Sequence, residues 1–193
     1  MHFKQYSGVH KILSKYWSVY GGWSALSGSP YVHWSLLFSL LCAGYWFDRD
    51  WTGQALGVLP NLLGFTLGGF AVFLGFGDEK FRQLIAGGKK ESAGSDKSSP
   101  YLNMSATFLH FVLVQVAALL WVIVAAGMHS FYLPIPDSLN TAALIVRACG
   151  DGIGYWLFLY SIFSAAAAAI AVFRTAWWFD SWHGNNKNGA DPT

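Results

Sequence analysis

Residues 102–127 contain no Asp, Glu, Lys or Arg. Three further apolar stretches, at 31–47, 55–77 and 153–179, hold a single charged residue between them, Arg174. A helix needs about 20 mostly apolar residues to cross the hydrocarbon core of a bilayer. Inside that core the backbone must satisfy its own hydrogen bonds, which leaves helices or closed barrels as the only spanning forms. Stretches this apolar have no alternating polar face, so they read as helices. Composition agrees: 11% of the chain is charged and 54% hydrophobic, whereas soluble domains carry about 25% charged residues. That balance excludes a disordered chain and argues against an ordinary soluble enzyme. The two cysteines, Cys42 and Cys149, form no disulfide framework or zinc pattern.

The expected fold is an all-α membrane protein with four transmembrane helices and an N-terminal amphipathic interfacial helix. The first segment, 1–30, has no short apolar core followed by a small-residue cleavage site. Phe3, Tyr6, Val9, Leu13, Tyr16, Trp17 and Tyr20 recur there at steps of three and four, with Lys4, Lys11 and Lys15 on the other side. This pattern suits a helix lying in the membrane interface or packed on another protein. A four-helix transmembrane domain, 31–179, follows, with a linker-like loop over 78–100 and a second loop over 128–152. The apolar stretch 141–149 in that second loop is too short to span, and reads as an interfacial or re-entrant helix. Residues 180–193 read as a flexible tail.

Basic residues orient the chain. Ten of the twelve fall on one side if both termini and the 78–100 loop share it; Arg49 and Arg147 fall on the other. The positive-inside rule makes the first side cytoplasmic. Tyr45, Trp46 and Trp51 then mark the outer interface, and Trp177, Trp178 and Trp182 the inner one.

Within the second span, Gly53, Gly57, Gly64, Gly68 and Gly75 repeat at steps of 4, 7, 4 and 7. That spacing returns to one helix face, and small residues there let helix backbones approach closely in lipid. Ser164 and Ala165 in the fourth span offer a matching small-residue surface. Packing within the chain and an interface between subunits both fit. Polar residues at membrane depth usually face protein or water, which makes Asn61, His110 and Gln115 candidates for an intramembrane site. Pro60 frees a backbone carbonyl beside Asn61. Lys4, Lys11, Lys15, Lys80, Arg82, Lys89 and Lys90 form a basic cytoplasmic face that suits lipid headgroups or a cytosolic protein partner.

No cofactor is expected. His33, His110 and His129 lie at unmatched depths for a haem pair, and no His or Cys cluster has metal-ligand spacing. There is no phosphate-binding loop, nucleophile elbow or His-Glu-x-x-His. No acidic residue falls inside an expected span, which argues against an intramembrane acid-pair protease or a carboxylate-driven carrier.

The stretch PNLLGFTLGGFAVFLGFGDEKFRQLI, residues 60–85, resembles segments of small four-span bacterial membrane proteins from phage-defence loci, such as the membrane subunits of Kiwa systems. The resemblance implies a homo-oligomeric inner-membrane sensor that holds a cytosolic DNA-binding partner, with no direct nucleic-acid contact of its own. It carries over no residue role. The expectation is therefore a non-enzymatic oligomeric membrane sensor or scaffold in antiviral defence. A small oligomeric ion channel or pore-forming effector is the first alternative, and a membrane anchor subunit of a respiratory complex the second.

Overall fold

The computed structural model describes residues 3–75, 99–130 and 140–188, with side chains over 6–75, 99–130 and 140–181. All regular structure among the described residues is helical: α1 (Phe3–Tyr20), α2 (Gly22–Ser27), α3 (Pro30–Leu41), α4 (Ala43–Asp48), α5 (Thr52–Gly75), α6 (Pro100–Ser130) and α7 (Asn140–Asn188). Three stretches are long and apolar enough to cross a bilayer: Thr52–Gly75, Pro100–Ser130 and Asn140–Ser181. They mark the chain as a multi-pass membrane protein.

Helix ends follow local chemistry. Gly21 and Gly22 take positive φ values of 101° and 61°, a conformation that glycine reaches without steric cost, and α1 stops there. Pro30 opens α3 and Pro100 opens α6, where a missing N–H costs nothing. The Ser99 hydroxyl accepts from the Leu102 amide at 3.2 Å, capping α6. Asp50 accepts from both the Thr52 amide (3.0 Å) and the Thr52 hydroxyl (2.6 Å), and these two donors hold its carboxyl below the usual carboxylate range.

The structure redraws several expected boundaries. The stretch 31–47 is two helices, α3 and α4, joined at Cys42, which leaves helical geometry with φ −90° and ψ 12°. The Trp46 indole donates to the Ser39 carbonyl at 2.9 Å across that joint, giving the backbone there a partner outside the helix ladder. The loop expected over 128–152 is helical at both ends, since α6 reaches Ser130 and α7 starts at Asn140; residues 131–139 lie outside the described residues. The separate interfacial helix expected over 141–149 is the first part of α7. No proline separates Cys149 from Ile153, so the helical hydrogen bonds run on through Gly150, Gly152 and Gly154. The expected tail is helical as far as Asn188. The loop 78–100 lies almost wholly outside the described residues.

The chain divides into two compact units. One comprises Ser29–Thr66 and Phe111–Ala167. Its core is Trp51 just before α5, Ala55 and Leu59 within α5, Ala118 and Val122 from α6, and Tyr155 and Phe158 from α7. Trp51 meets Tyr155 edge to face at 5.8 Å, a favoured aromatic geometry. Gly154 makes this packing possible: a Cβ there would lie 2.6 Å from both the Trp51 and Trp121 rings. The other unit comprises Met1–Gly28, Leu67–His110 and Ala168–Thr193. Phe108 is fully buried there, stacked on Phe70 at 5.4 Å and Phe73 at 5.6 Å, and Phe73 stacks in turn on Tyr101 at 5.3 Å. Gly69 packs against Val172 and Phe108. The Thr175 hydroxyl lies 3.4 Å from the Met104 sulfur and 3.1 Å from the Ala171 carbonyl.

Candidate functional site

The glycine stripe is open. A Cβ added to Gly53, Gly57, Gly64, Gly68 or Gly75 would meet nothing within 4 Å. Among the described residues, the expected packing of this face against small residues of the fourth span therefore does not occur. Ser164 and Ala165 are buried, but Ser164 turns to Gln115 of α6 instead. Asn61 lies on the open face, one turn after Gly57 and three residues before Gly64. Its side-chain amide donates to the Gly57 carbonyl at 3.0 Å, next to the carbonyl freed by Pro60, and its residue stays exposed.

Gln115 has the opposite setting. It is fully buried. Its amide nitrogen donates to the Thr66 hydroxyl of α5 at 2.8 Å and lies 3.4 Å from the Ser164 hydroxyl of α7. Ser164 in turn donates to the Ser161 carbonyl at 2.8 Å. One polar cluster thus draws on all three long helices. Gln115 Oε1 is buried and has no hydrogen-bond partner, so the cluster is incompletely satisfied, at a typical cost of about 1–3 kcal/mol per orphaned group.

His110, the third expected intramembrane residue, belongs to a separate constellation. Its Nδ1 shares a 2.7 Å hydrogen bond with the Tyr16 hydroxyl of α1. Tyr20 stacks on its ring with centroids 4.0 Å apart. Burial, and to a smaller degree Tyr20, push the Tyr16 phenol up to about 12. Asn61, His110 and Gln115 thus bond three different sets of partners. Among the basic residues, Lys11 and Lys15 are exposed on α1. Lys4 lies in α1 outside the described side chains, and Lys80, Arg82, Lys89 and Lys90 lie outside the described residues.

A charged cluster escapes the sequence reading. Asp151, expected in a loop, sits in α7 and is buried. His129 Nε2 lies 3.0 Å from its Oδ1, the Trp51 indole donates to the same oxygen at 3.1 Å, and Arg147 Nε lies 3.7 Å from Oδ2. His129 Nδ1 points to Asp50 at 3.8 Å. The 3.0 Å approach to Asp151 is within hydrogen-bond reach and the 3.8 Å approach to Asp50 is not. The only signal in the sequence is the i,i+4 spacing of Arg147 and Asp151, which needs a helix through the expected loop.

Among the described residues, no group of three or more His, Cys, Asp or Glu could hold a metal ion. Comparison of the chain with family models, curated proteins and solved structures returned no match.

Proposed function

We propose that the protein is a non-enzymatic membrane scaffold or sensor that assembles with further copies of itself through the glycine face of α5. The supporting observation is the open space over Gly57, Gly64 and Gly68 beside the exposed amide of Asn61. A small-residue face allows close backbone approach, and a polar group in lipid favours a protein neighbour. In this reading α3 and α4 together make a fourth crossing. Placed end to end, Pro30–Asp48 would rise about 28 Å at 1.5 Å per residue, close to the ~30 Å hydrocarbon core. No charged residue lies between Lys15 and Asp48. Both termini are then cytoplasmic, and the basic face there recruits a cytosolic protein. The setting in a bacterial inner membrane, in antiviral defence, with a DNA-binding partner, rests on the resemblance of residues 60–85.

The test is the mass of the detergent-solubilised complex, purified with its co-purifying chains. A homo-oligomer that falls to monomer in Gly64→Leu/Gly68→Leu supports the assembly face; an unchanged mass sinks it. A cytosolic chain that co-purifies and is lost on charge reversal at Lys80, Arg82, Lys89 and Lys90 supports the recruiting role. The channel alternative draws on the buried Thr66–Gln115–Ser164 cluster. It requires ion flux in vesicles that changes in Gln115→Ala.

A further inference from the structure

The apolar stripe of α1 is covered at one end only. Tyr16 and Tyr20, near its C-terminus, sit against His110 of α6. On the same side, Leu13, Val9 and Tyr6 continue the stripe toward the N-terminus, and they are 42%, 58% and 76% exposed. Lys11 and Lys15 occupy the opposite side and are also exposed. The first 47 residues hold three lysines and no Asp or Glu, so this end of the chain complements a negative surface. His110 belongs to a helix apolar and long enough to cross a bilayer. The bare stretch of the stripe therefore continues a face already seated on a membrane-crossing helix, and the neighbour of such a helix, beyond protein, is lipid.

We propose that Tyr6, Val9 and Leu13 insert into the headgroup–acyl boundary of an anionic bilayer, with Tyr16 and Tyr20 fixing the other end of α1 to His110. Amphipathic helices with a basic polar face bind membranes in this way, through buried apolar area together with attraction to anionic lipid. Charges stay effective within a Debye length of about 8 Å at physiological salt, so lysines on flexible stems can act from the far side of the helix. The proposal rests on the membrane-spanning nature of α6, and is independent of self-assembly through α5.

The experiment places a nitroxide at Val9→Cys or Lys11→Cys in a full-length Cys42→Ala/Cys149→Ala background. The protein is reconstituted in nanodiscs of phosphatidylcholine with phosphatidylglycerol. Collision rates with oxygen, which enters lipid, and with a nickel chelate, which does not, are then compared. The expected result is an oxygen-to-nickel ratio several-fold higher at Val9 than at Lys11. Adding Lys11→Gln and Lys15→Gln to the Val9→Cys protein should lower its ratio. High nickel collision at Val9 would mean that the stripe stands in water. Shielding of Val9 from both reagents would mean a protein covers it, either a second copy or another chain. Either outcome overturns the proposal, as does a Val9 ratio indifferent to the lysines. Tyr6→Cys reads the same face if the Val9 variant does not reconstitute.

Discussion

Gly154 and Gly68 are both glycines in long apolar helices, and the structure uses them in opposite ways. Gly154 in α7 is filled to the limit, with two indole rings where a methyl group would go. Gly68 in α5 has nothing near it. The contrast is the more instructive because Gly68 belongs to a five-glycine repeat, whereas Gly154 shares the same four-residue step with Gly150 alone. Regular spacing identifies a face able to pack closely, but not what packs there. The tight contact inside the chain lies where Trp51 and Trp121 converge, and their positions are set by elements far apart in sequence.

The strongest way to break this comparison is Gly154→Ala. Overpacking a tight core usually costs about 1–3 kcal/mol, and the displaced atoms here belong to two large rings, of which Trp51 is fully buried. Thermal unfolding in detergent should show a clear drop in midpoint, whereas Gly68→Ala should leave it near the parent value. Equal midpoints would mean the indoles move aside freely. The Gly64→Leu/Gly68→Leu protein sharpens the other half: its complex mass should fall while the unfolding midpoint of the dissociated chain changes little.

A smaller effect is expected at the charged corner of the Trp51 unit. Removing His129 leaves the buried Asp151 with Trp51 and Arg147 only. A double-mutant cycle over His129→Ala and Asp151→Ala should give a coupling of about 1 kcal/mol, within the range for side chains in direct contact. A coupling near zero would make the 3.0 Å approach energetically idle. The smallest effect belongs to the unit that holds α1. Tyr16 keeps its proton in the folded protein up to about 12, against about 10 for a free phenol. Between these values the folded state binds the extra proton. The stability this contributes is intact below about pH 10 and is lost as pH rises through about 12. The phenolate absorbance that appears late in a pH titration should shrink by one tyrosine in Tyr16→Phe; a profile unchanged by that substitution counts against the Tyr16–His110 contact.

Comparing the two amides shows how much of the site could be read in advance. Asn61 and Gln115 look alike in sequence, each a lone amide in an apolar run. Gln115 ends up sealed between Thr66 and Ser164, while Asn61 bonds only its own helix. Hydropathy carries no information about which side of a helix meets protein when the helix is apolar all round. α1 is a different case. Its polar and apolar residues alternate at helical spacing, so its two faces were legible in sequence, and only the docking of Tyr16 on His110 was not.

The class of structure was legible in the residues alone: long apolar segments, nearly free of charge, can satisfy their backbones in lipid as helices, and the basic residues and interfacial aromatics add an expected orientation. The packing of the folded chain settled the remaining features. It split 31–47 at Cys42, drew Asp151 out of an expected loop into a buried contact with His129, left the glycine stripe open, and seated Tyr16 on His110. The His129–Asp151 and Tyr16–His110 contacts join residues distant in sequence. In long helices that are apolar on every side, no local pattern marks which face will be covered.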